Sequence, residues 1–139
     1  SDLRRLGRFG YRRKKLLTGN EVDFFHRLRR ALGNDYVVLT QVSMAALVET
    51  TLSPEHPRFW DERARYSGRI VDYVICHPKT LAPLLVVELD DRMHDFGKDT
   101  KRDNFLALAG LQTVRFWSRS KPDTPQLRER LLAALGAAR

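Results

Sequence analysis

The sequence has a single cysteine, no long apolar run and no low-complexity tract. Cys76 alone cannot form an intramolecular disulfide or a multi-cysteine zinc site, and it suits a reducing compartment. No apolar stretch is long enough to span a bilayer, and none resembles a signal-peptide core. We therefore expect a cytoplasmic protein. Because the chain starts in a basic segment, a position at the cytoplasmic face of a bacterial inner membrane, reached through a segment before residue 1, is the alternative.

Acidic residues are scarce at the start of the chain. Residues 1–15 hold seven basic side chains against Asp2 alone, so they contribute +6 of the net charge of +8 and leave +2 for the rest. We read residues 1–15 as a basic arm or linker and residues 16–139 as one domain. The arm is expected to bind either nucleic-acid phosphates or a membrane surface. The arm residues predicted to contact nucleic acid are Arg12, Arg13, Lys14 and Lys15.

The first predicted helix follows Thr18, which with Glu21 forms a capping-box pattern. The helix is expected to run to residue 32 and to end at Gly33 in a left-handed conformation. Glu21 precedes the predicted inward stripe, so it is either a cap and nothing more or an acid directed at a site. The stripe consists of Val22, Phe25, Leu28 and Leu32.

The middle of the chain combines a strand with a long connection. Residues 36–42 are β-branched and aromatic, which predicts a strand with Gln41 turned inward. Residues 44–49 suggest a short helix, and residues 50–68 read as an irregular connection with basic and aromatic side chains. Arg63 and Arg65 are its predicted nucleic-acid contacts.

The second half predicts a β-hairpin followed by helix, strand and helix. The hairpin strands are residues 69–76 and a strand from residue 84, and a helix at 98–108 then leads to a strand at 111–117. Thr124 is the expected N-cap of a last helix that runs to residue 135 and stops at Gly136. This order predicts an α/β domain with a mixed sheet and helices on both faces.

Carboxylates cluster where the hairpin strands should end. A hairpin centred near Thr80 places Asp72 opposite Glu88, with their Cβ atoms about 5 Å apart. Asp90 lies two residues beyond Glu88 on the same face. Opposed carboxylates repel unless a cation or a shared proton compensates, so we expect Asp72, Glu88 and Asp90 to hold Mg²⁺ or Mn²⁺.

An acid, a hairpin and then Glu-x-Asp resemble the restriction-endonuclease-like (PD-(D/E)XK) superfamily. Residues 86–94 (Val-Val-Glu-Leu-Asp-Asp-Arg-Met-His), 101–106 and 109–117 further resemble the bacterial domain-of-unknown-function family 2726 and relatives of the very-short-patch repair endonuclease. The resemblance implies a restriction-endonuclease-like fold with an acid on the first helix, which maps to Glu21. It also implies an active-site pair, Asp72 and Glu88. The lysine of the family's Glu-x-Lys pattern is replaced by Asp90.

The resemblance implies hydrolysis of DNA phosphodiester bonds with a metal ion. His94, Lys98 or Lys101 is expected to take over the work of the missing lysine. Arg102 and Arg115 are candidate phosphate contacts, although either can instead pair with a nearby acid such as Asp103. Cutting both strands requires a homodimer or two nicking events. The alternative is an inactive, nuclease-like module that binds nucleic acid or protein, with a membrane tether as a further variant.

Overall fold

The structure is a computed structural model that describes residues 7, 9–91 and 96–137, with the side chains of residues 96–100 and 137 left aside. Within these described residues, four strands and four α-helices form the domain. The strands are β1 (Val37–Ser43), β2 (Ile70–Cys76), β3 (Pro83–Asp90) and β4 (Thr113–Trp117). The helices are α1 (Gly19–Leu32), α2 (Phe59–Ala64), α3 (Phe96–Leu108) and α4 (Thr124–Ala137).

The strands lie in the order β1-β2-β3-β4, and the sheet is mixed. β1 and β2 are antiparallel, as are β2 and β3, whereas β3 and β4 run parallel. The parallel pair needs a crossover, which α3 provides between the two strands. The α/β class with a mixed sheet, predicted from the order of the elements, is confirmed.

Two apolar clusters cover the two faces of the sheet. On one face α1 and α4 pack over Tyr73, Val87 and Phe116. On the other, Leu106 of α3 and Tyr66 pack over Val74. Both clusters are built from buried side chains, so the sheet is enclosed by apolar contacts on each side.

The capping box of α1 is confirmed, but its inward stripe is displaced from the predicted positions. Thr18 Oγ1 accepts from the Glu21 amide at 3.3 Å, and the Glu21 carboxylate accepts from the Thr18 amide at 2.8 Å. Val22 is 41% exposed, and Phe24 is buried in its place. Phe24 lies four residues before Leu28, so it falls on the face turned toward the sheet. Gly33 ends the helix with a positive φ of +57°, as expected, although its ψ of −139° lies outside the left-handed helical conformation.

Four other features differ from the sequence prediction. The short helix predicted at 44–49 is a single 3₁₀ turn, Met44–Ala46, and the connection predicted to be irregular contains α2. Asp123 rather than Thr124 caps α4, because its Oδ1 accepts from the Gln126 amide at 3.0 Å while Thr124 is already helical. Gly136 lies inside α4, because the helix continues to residue 137. In the part of the chain that the structure describes, no helix is long and apolar enough to cross a membrane.

Candidate active site at a fork in the sheet

The sheet divides between its two middle strands. Tyr73 and Val87 are the last pair of the β2–β3 ladder, although both strands continue beyond them. The β1–β2 ladder runs on to Ser43 and Ile70, and the β3–β4 ladder runs on to Asp90. Past Tyr73 and Val87 the sheet is therefore a fork with one strand pair on each side.

Asp72 and Glu88 are the first residues past the last paired positions, one on each side of the fork. The hairpin register predicted from sequence is confirmed by the Tyr73–Val87, Val74–Val86 and Ile75–Leu85 pairs. The expectation of a regular cross-strand pair at Asp72 and Glu88 is corrected, because the ladder stops one residue earlier. The Leu89 amide donates to Asp72 Oδ2 at 2.9 Å. The Asp72 carboxylate thus accepts the hydrogen bond that a main-chain carbonyl of β2 would accept in a regular ladder.

Glu88 is a buried acid. Its exposed fraction is 3%, and it is the one charged residue buried among those the structure describes. The pKa of Glu88 is raised to about 9, first by burial and then by a side-chain hydrogen bond with Asp72 and repulsion from its charge. Arg102 and Arg115 oppose this rise. The two carboxylates, Asp72 and Glu88, therefore hold a proton between them near neutral pH unless another positive charge replaces it.

Two arginines approach the acids of β3. Arg102 of α3 places Nη2 3.4 Å from Glu88 Oε1, a buried oxygen that forms no hydrogen bond within the described part of the chain. Arg115 of β4 donates from Nη1 to Asp90 at 3.1 Å and from Nη2 to Asp103 of α3 at 3.0 Å. Both arginines pair with acids, which is one of their two predicted roles, the other being contact with phosphates.

Asp90 stands where the family pattern has a lysine. Its carboxylate is 11% exposed and is bound to Arg115, which is itself the β4 neighbour of Glu88 in the parallel ladder. Asp90 and Glu88 lie two residues apart on one strand, as predicted. The guanidinium of Arg115 thus brings a positive charge close to the position of the missing lysine.

Glu21 contacts the β1 side of the fork. One carboxylate oxygen belongs to the capping box, and the other accepts from Gln41 Nε2 at 3.3 Å. The Tyr73 hydroxyl donates to the Glu21 carbonyl at 2.6 Å. Burial, together with the charges of Glu21 and Asp72, raises the pKa of Tyr73, so the hydroxyl remains a donor. Glu21 is therefore both a cap and a neighbour of the fork, and the two interpretations are compatible.

The predicted nucleic-acid contacts fall into two groups. Arg63 lies 5.9 Å from the exposed Trp60 ring, and Arg65 lies 5.2 Å from the Phe105 ring. Arg65 also pairs with Glu62 of α2 at 3.2 Å. Lys101 and Arg65 line one cavity of about 160 Å³ beside α3. An exposed segment without regular secondary structure precedes α1 and contains Arg12, Arg13, Lys14 and Lys15.

Two candidates fall outside what can be placed. His94 lies outside the described residues, and Lys98 belongs to α3 without a described side chain. Of the described α3 cations, Arg102 is the one that approaches Glu88. The water-activating residue expected in place of the missing lysine therefore stays a prediction.

Two features of the fork were not anticipated from sequence. Tyr73 was read only as part of a strand, although an aromatic hydroxyl next to a strand acid is a signal for a polar contact. Gln41 was expected to turn inward, but its φ of +52° was not foreseen. A glutamine carries no local signal for that conformation, and its side chain contacts Glu21, which is distant in sequence.

The chemistry that this arrangement supports depends on two carboxylates and the strand end next to them. Among the described residues, no three or more His, Cys, Asp or Glu side chains form a group that would hold a metal ion. Mg²⁺ commonly uses only one or two carboxylates, with water and substrate phosphates completing its shell. Asp72 and Glu88, with a buried Glu88 oxygen lacking a hydrogen bond, fit that smaller requirement.

Comparison with known proteins connects the chain to one family. The model of a family described as "Protein of unknown function (DUF2726)" matches residues 13–135. No curated protein and no solved structure matches the chain. The matched range contains the whole fork, both arginines, helices α1 to α3 and α4 up to residue 135.

Proposed function

The chain belongs to the DUF2726 family, and from the forked sheet we propose that it is a metal-dependent endonuclease domain of the restriction-endonuclease-like type that hydrolyses DNA. The restriction-endonuclease-like assignment is part of the proposal. Its support is an acid on each of two diverging strands, Asp72 and Glu88, and an acid on the first helix, Glu21. The hairpin register and the resemblance both pointed to the first two, and the resemblance to the third.

The observation that carries the proposal is the burial of Glu88 beside Asp72. A buried carboxylate costs several kcal/mol unless a positive charge or a proton compensates it. Among the described residues, Arg102 is the nearest positive charge, but its 3.4 Å contact leaves Glu88 Oε1 without a hydrogen bond there. A protein gains little stability from such an acid, whereas a divalent cation gains an anionic ligand held on a rigid strand.

The residues of the chain would then share the work of binding and orientation. Asp72 and Glu88 would hold Mg²⁺ or Mn²⁺, and the Leu89 amide orients Asp72 for that role. When bound, the ion would polarise the scissile phosphate and lower the pKa of a water molecule. His94, Lys98 or Lys101 would help to activate that water or stabilise the charged transition state. The basic arm and Arg63 would bind flanking phosphates.

A second candidate function is a nuclease-like module that binds DNA without cutting it. The observation that favours it is the Asp90–Arg115–Asp103 network, which occupies the place of the usual lysine with a neutralised acid. Such a module would retain the fork and the basic arm but would not turn over substrate.

Cleavage of supercoiled plasmid in Mg²⁺ or Mn²⁺ tests the proposal. We expect nicking by the native protein and a loss of at least about 100-fold in Asp72→Asn and Glu88→Gln, since each variant removes a metal ligand and keeps the side-chain shape. Glu129→Gln, an exposed change on α4, is the matched control and should cut normally.

The outcomes separate the two candidate functions. Activity that survives both Asp72→Asn and Glu88→Gln would rule out this metal site. A native protein that shifts DNA in a gel but never cuts it, in either metal ion, would instead favour the binding module.

A further inference from the structure

A cavity of about 530 Å³ lies between residues 45–54, which follow β1, and helix α2. Its volume is within the range of about 300 to 1,000 Å³ that is usual for small-molecule sites. The fork acids and the two arginines that approach them are not among the residues that line it. Its polar and aromatic lining includes Glu49, Thr50, Phe59, Arg63 and Tyr66.

Arg63 brings a positive charge to this cavity that no described acid neutralises. Its guanidinium lies over the Trp60 ring at 5.9 Å and forms neither a hydrogen bond nor an ion pair with any residue that the structure describes. Arg65 differs, because it pairs with Glu62 at 3.2 Å. A partly buried guanidinium whose donors are unused can bind a phosphate through two parallel hydrogen bonds.

Tyr66 adds a second unused donor. Its side chain is 5% exposed, and its ring belongs to the apolar cluster on the α3 side of the sheet. The hydroxyl accepts from the Thr50 amide at 2.9 Å but donates to no residue in the described part of the chain. A buried hydroxyl normally uses its hydrogen as well as its lone pairs. Because Tyr66 and Thr50 both line the cavity, that hydrogen can be donated to an acceptor bound there.

The same cavity also has an aromatic wall and an acid. Phe59 is partly buried and packs edge to face against Trp60 at 5.0 Å, so a planar group can stack on the remaining surface of its ring. Glu49 forms no ion pair with Arg63 or with another described residue. Glu49 would repel a simple anion, whereas it can accept hydrogen bonds from a ligand that carries hydroxyl or amino groups away from its negative charge.

We propose that this cavity binds a nucleotide. The phosphate binds Arg63 and the Tyr66 hydroxyl, the base packs against Phe59, and Glu49 accepts from a sugar hydroxyl or an exocyclic amino group. A free nucleotide and an unpaired nucleotide of a DNA strand offer the same groups, so either can be the source. The inference goes beyond the proposed nuclease function, because it does not require the metal site at the fork.

Isothermal titration calorimetry with 2′-deoxyadenosine 5′-monophosphate tests the site. The titration is done in EDTA, so that the result is independent of metal binding at the fork. We expect saturable binding that is weakened about tenfold or more in Arg63→Gln, because charge-assisted hydrogen bonds to the phosphate are lost. Inorganic phosphate and deoxyadenosine, which each carry only part of the ligand, should bind more weakly than the nucleotide.

Three further variants assign the roles of the lining residues. Tyr66→Phe should weaken nucleotide binding about fivefold, the usual effect of one neutral hydrogen bond. Phe59→Leu should weaken binding of the nucleotide but not of inorganic phosphate. Arg58→Gln is the matched control, since it removes an exposed positive charge beside α2 that does not line the cavity, and it should bind as native. Circular dichroism melting of each variant shows that it is folded.

Competition with DNA separates the two sources of the nucleotide. Displacement of the nucleotide by a duplex with an unpaired 5′ overhang, but not by a closed duplex without unpaired bases, would identify the DNA strand. Nucleotide binding that is unchanged by saturating amounts of both duplexes would identify a free nucleotide. Displacement by the closed duplex as well would overturn the proposal, because paired DNA would then occupy the cavity.

The proposal is also overturned if the nucleotide does not bind at millimolar concentration, or if Arg63→Gln binds it as tightly as the native protein does. Equal affinity for the nucleotide and for inorganic phosphate would likewise contradict it, since the cavity would then recognise only an anion. None of these results bears on the proposed metal site, which plasmid cleavage by Asp72→Asn and Glu88→Gln tests separately.

Discussion

Glu88 combines two properties that conflict in an ordinary stable domain, burial and negative charge. A neutral, apolar or amide side chain at that position would pack without the cost of desolvating a carboxylate. The protein instead keeps an acid whose pKa is raised to about 9 by burial and by Asp72. Positions where stability is given up in this way often belong to functional sites.

The raised pKa makes stability depend on pH in a defined direction. The folded pKa of Glu88 lies above its value in the unfolded chain, so its contribution is fully present below about pH 4.5 and is lost as pH rises through about 9. When the pH is raised from 5 to 8 without metal, the free energy of unfolding of the native protein should fall by roughly 2 to 4 kcal/mol relative to that of Glu88→Gln. The glutamine side chain does not titrate.

Urea unfolding at both pH values in EDTA measures this difference. The control is Glu129→Gln on the exposed face of α4, which should parallel the native protein. Parallel pH curves for native protein and Glu88→Gln would show that the Glu88 carboxyl titrates as an ordinary acid.

At the scale of one element, β1 is distorted where it meets the fork. Gln41 has a φ of +52°, a region that costs a non-glycine residue about 1 kcal/mol. In return its side chain reaches Glu21 at 3.3 Å and connects β1 to the first turn of α1. Strain of this kind is commonly retained next to functional sites.

A pair of substitutions isolates the backbone strain. Gln41→Gly and Gln41→Ala both lose the contact with Glu21. The positive φ is strained for alanine but not for glycine. We therefore expect Gln41→Gly to be more stable than Gln41→Ala by about 1 kcal/mol in urea unfolding.

Thr40, the preceding residue of the same strand, provides the matched comparison. Thr40 has no positive φ, so glycine there should be less stable than alanine by roughly 0.5 to 1 kcal/mol. The same order of stability at both positions would contradict strain at Gln41.

At the scale of the whole molecule, most of the net positive charge and the candidate active site lie in different parts of the chain. Six of the eight net positive charges belong to residues 1–15, whereas the fork is a site of paired acids and arginines. Long-range attraction of DNA is therefore expected from the arm, and orientation of the phosphate from the fork.

Changing Arg12, Arg13, Lys14 and Lys15 together to glutamine should weaken DNA binding at every sequence and reduce the slope of log affinity against log salt by about 3 to 4. Fluorescence anisotropy of a labelled duplex over a range of salt concentrations measures both effects. Changing Arg29 and Arg30 of α1 together is the control. If the slope is unchanged in the arm variant, the arm does not contact phosphates.

Some features of this protein can be predicted from residues that are close together in the sequence. The capping box at Thr18 and Glu21, the α/β class and the hairpin register near Thr80 follow from neighbouring residues, and the structure confirms each of them. Exact boundaries were less predictable where two capping residues compete, as Asp123 and Thr124 do at the start of α4.

By itself, the sequence determined the hairpin register that brings Asp72 and Glu88 to the same end of β2 and β3, because hairpin pairing links residues that are close in the chain. Only the tertiary structure decided that the ladder ends at Tyr73 and Val87, that Arg102 faces Glu88, and that Gln41 bends toward Glu21. Each of these depends on elements distant in sequence packing against one another. The strength and direction of such contacts arise from the three-dimensional arrangement of charges and buried groups, which no local pattern encodes.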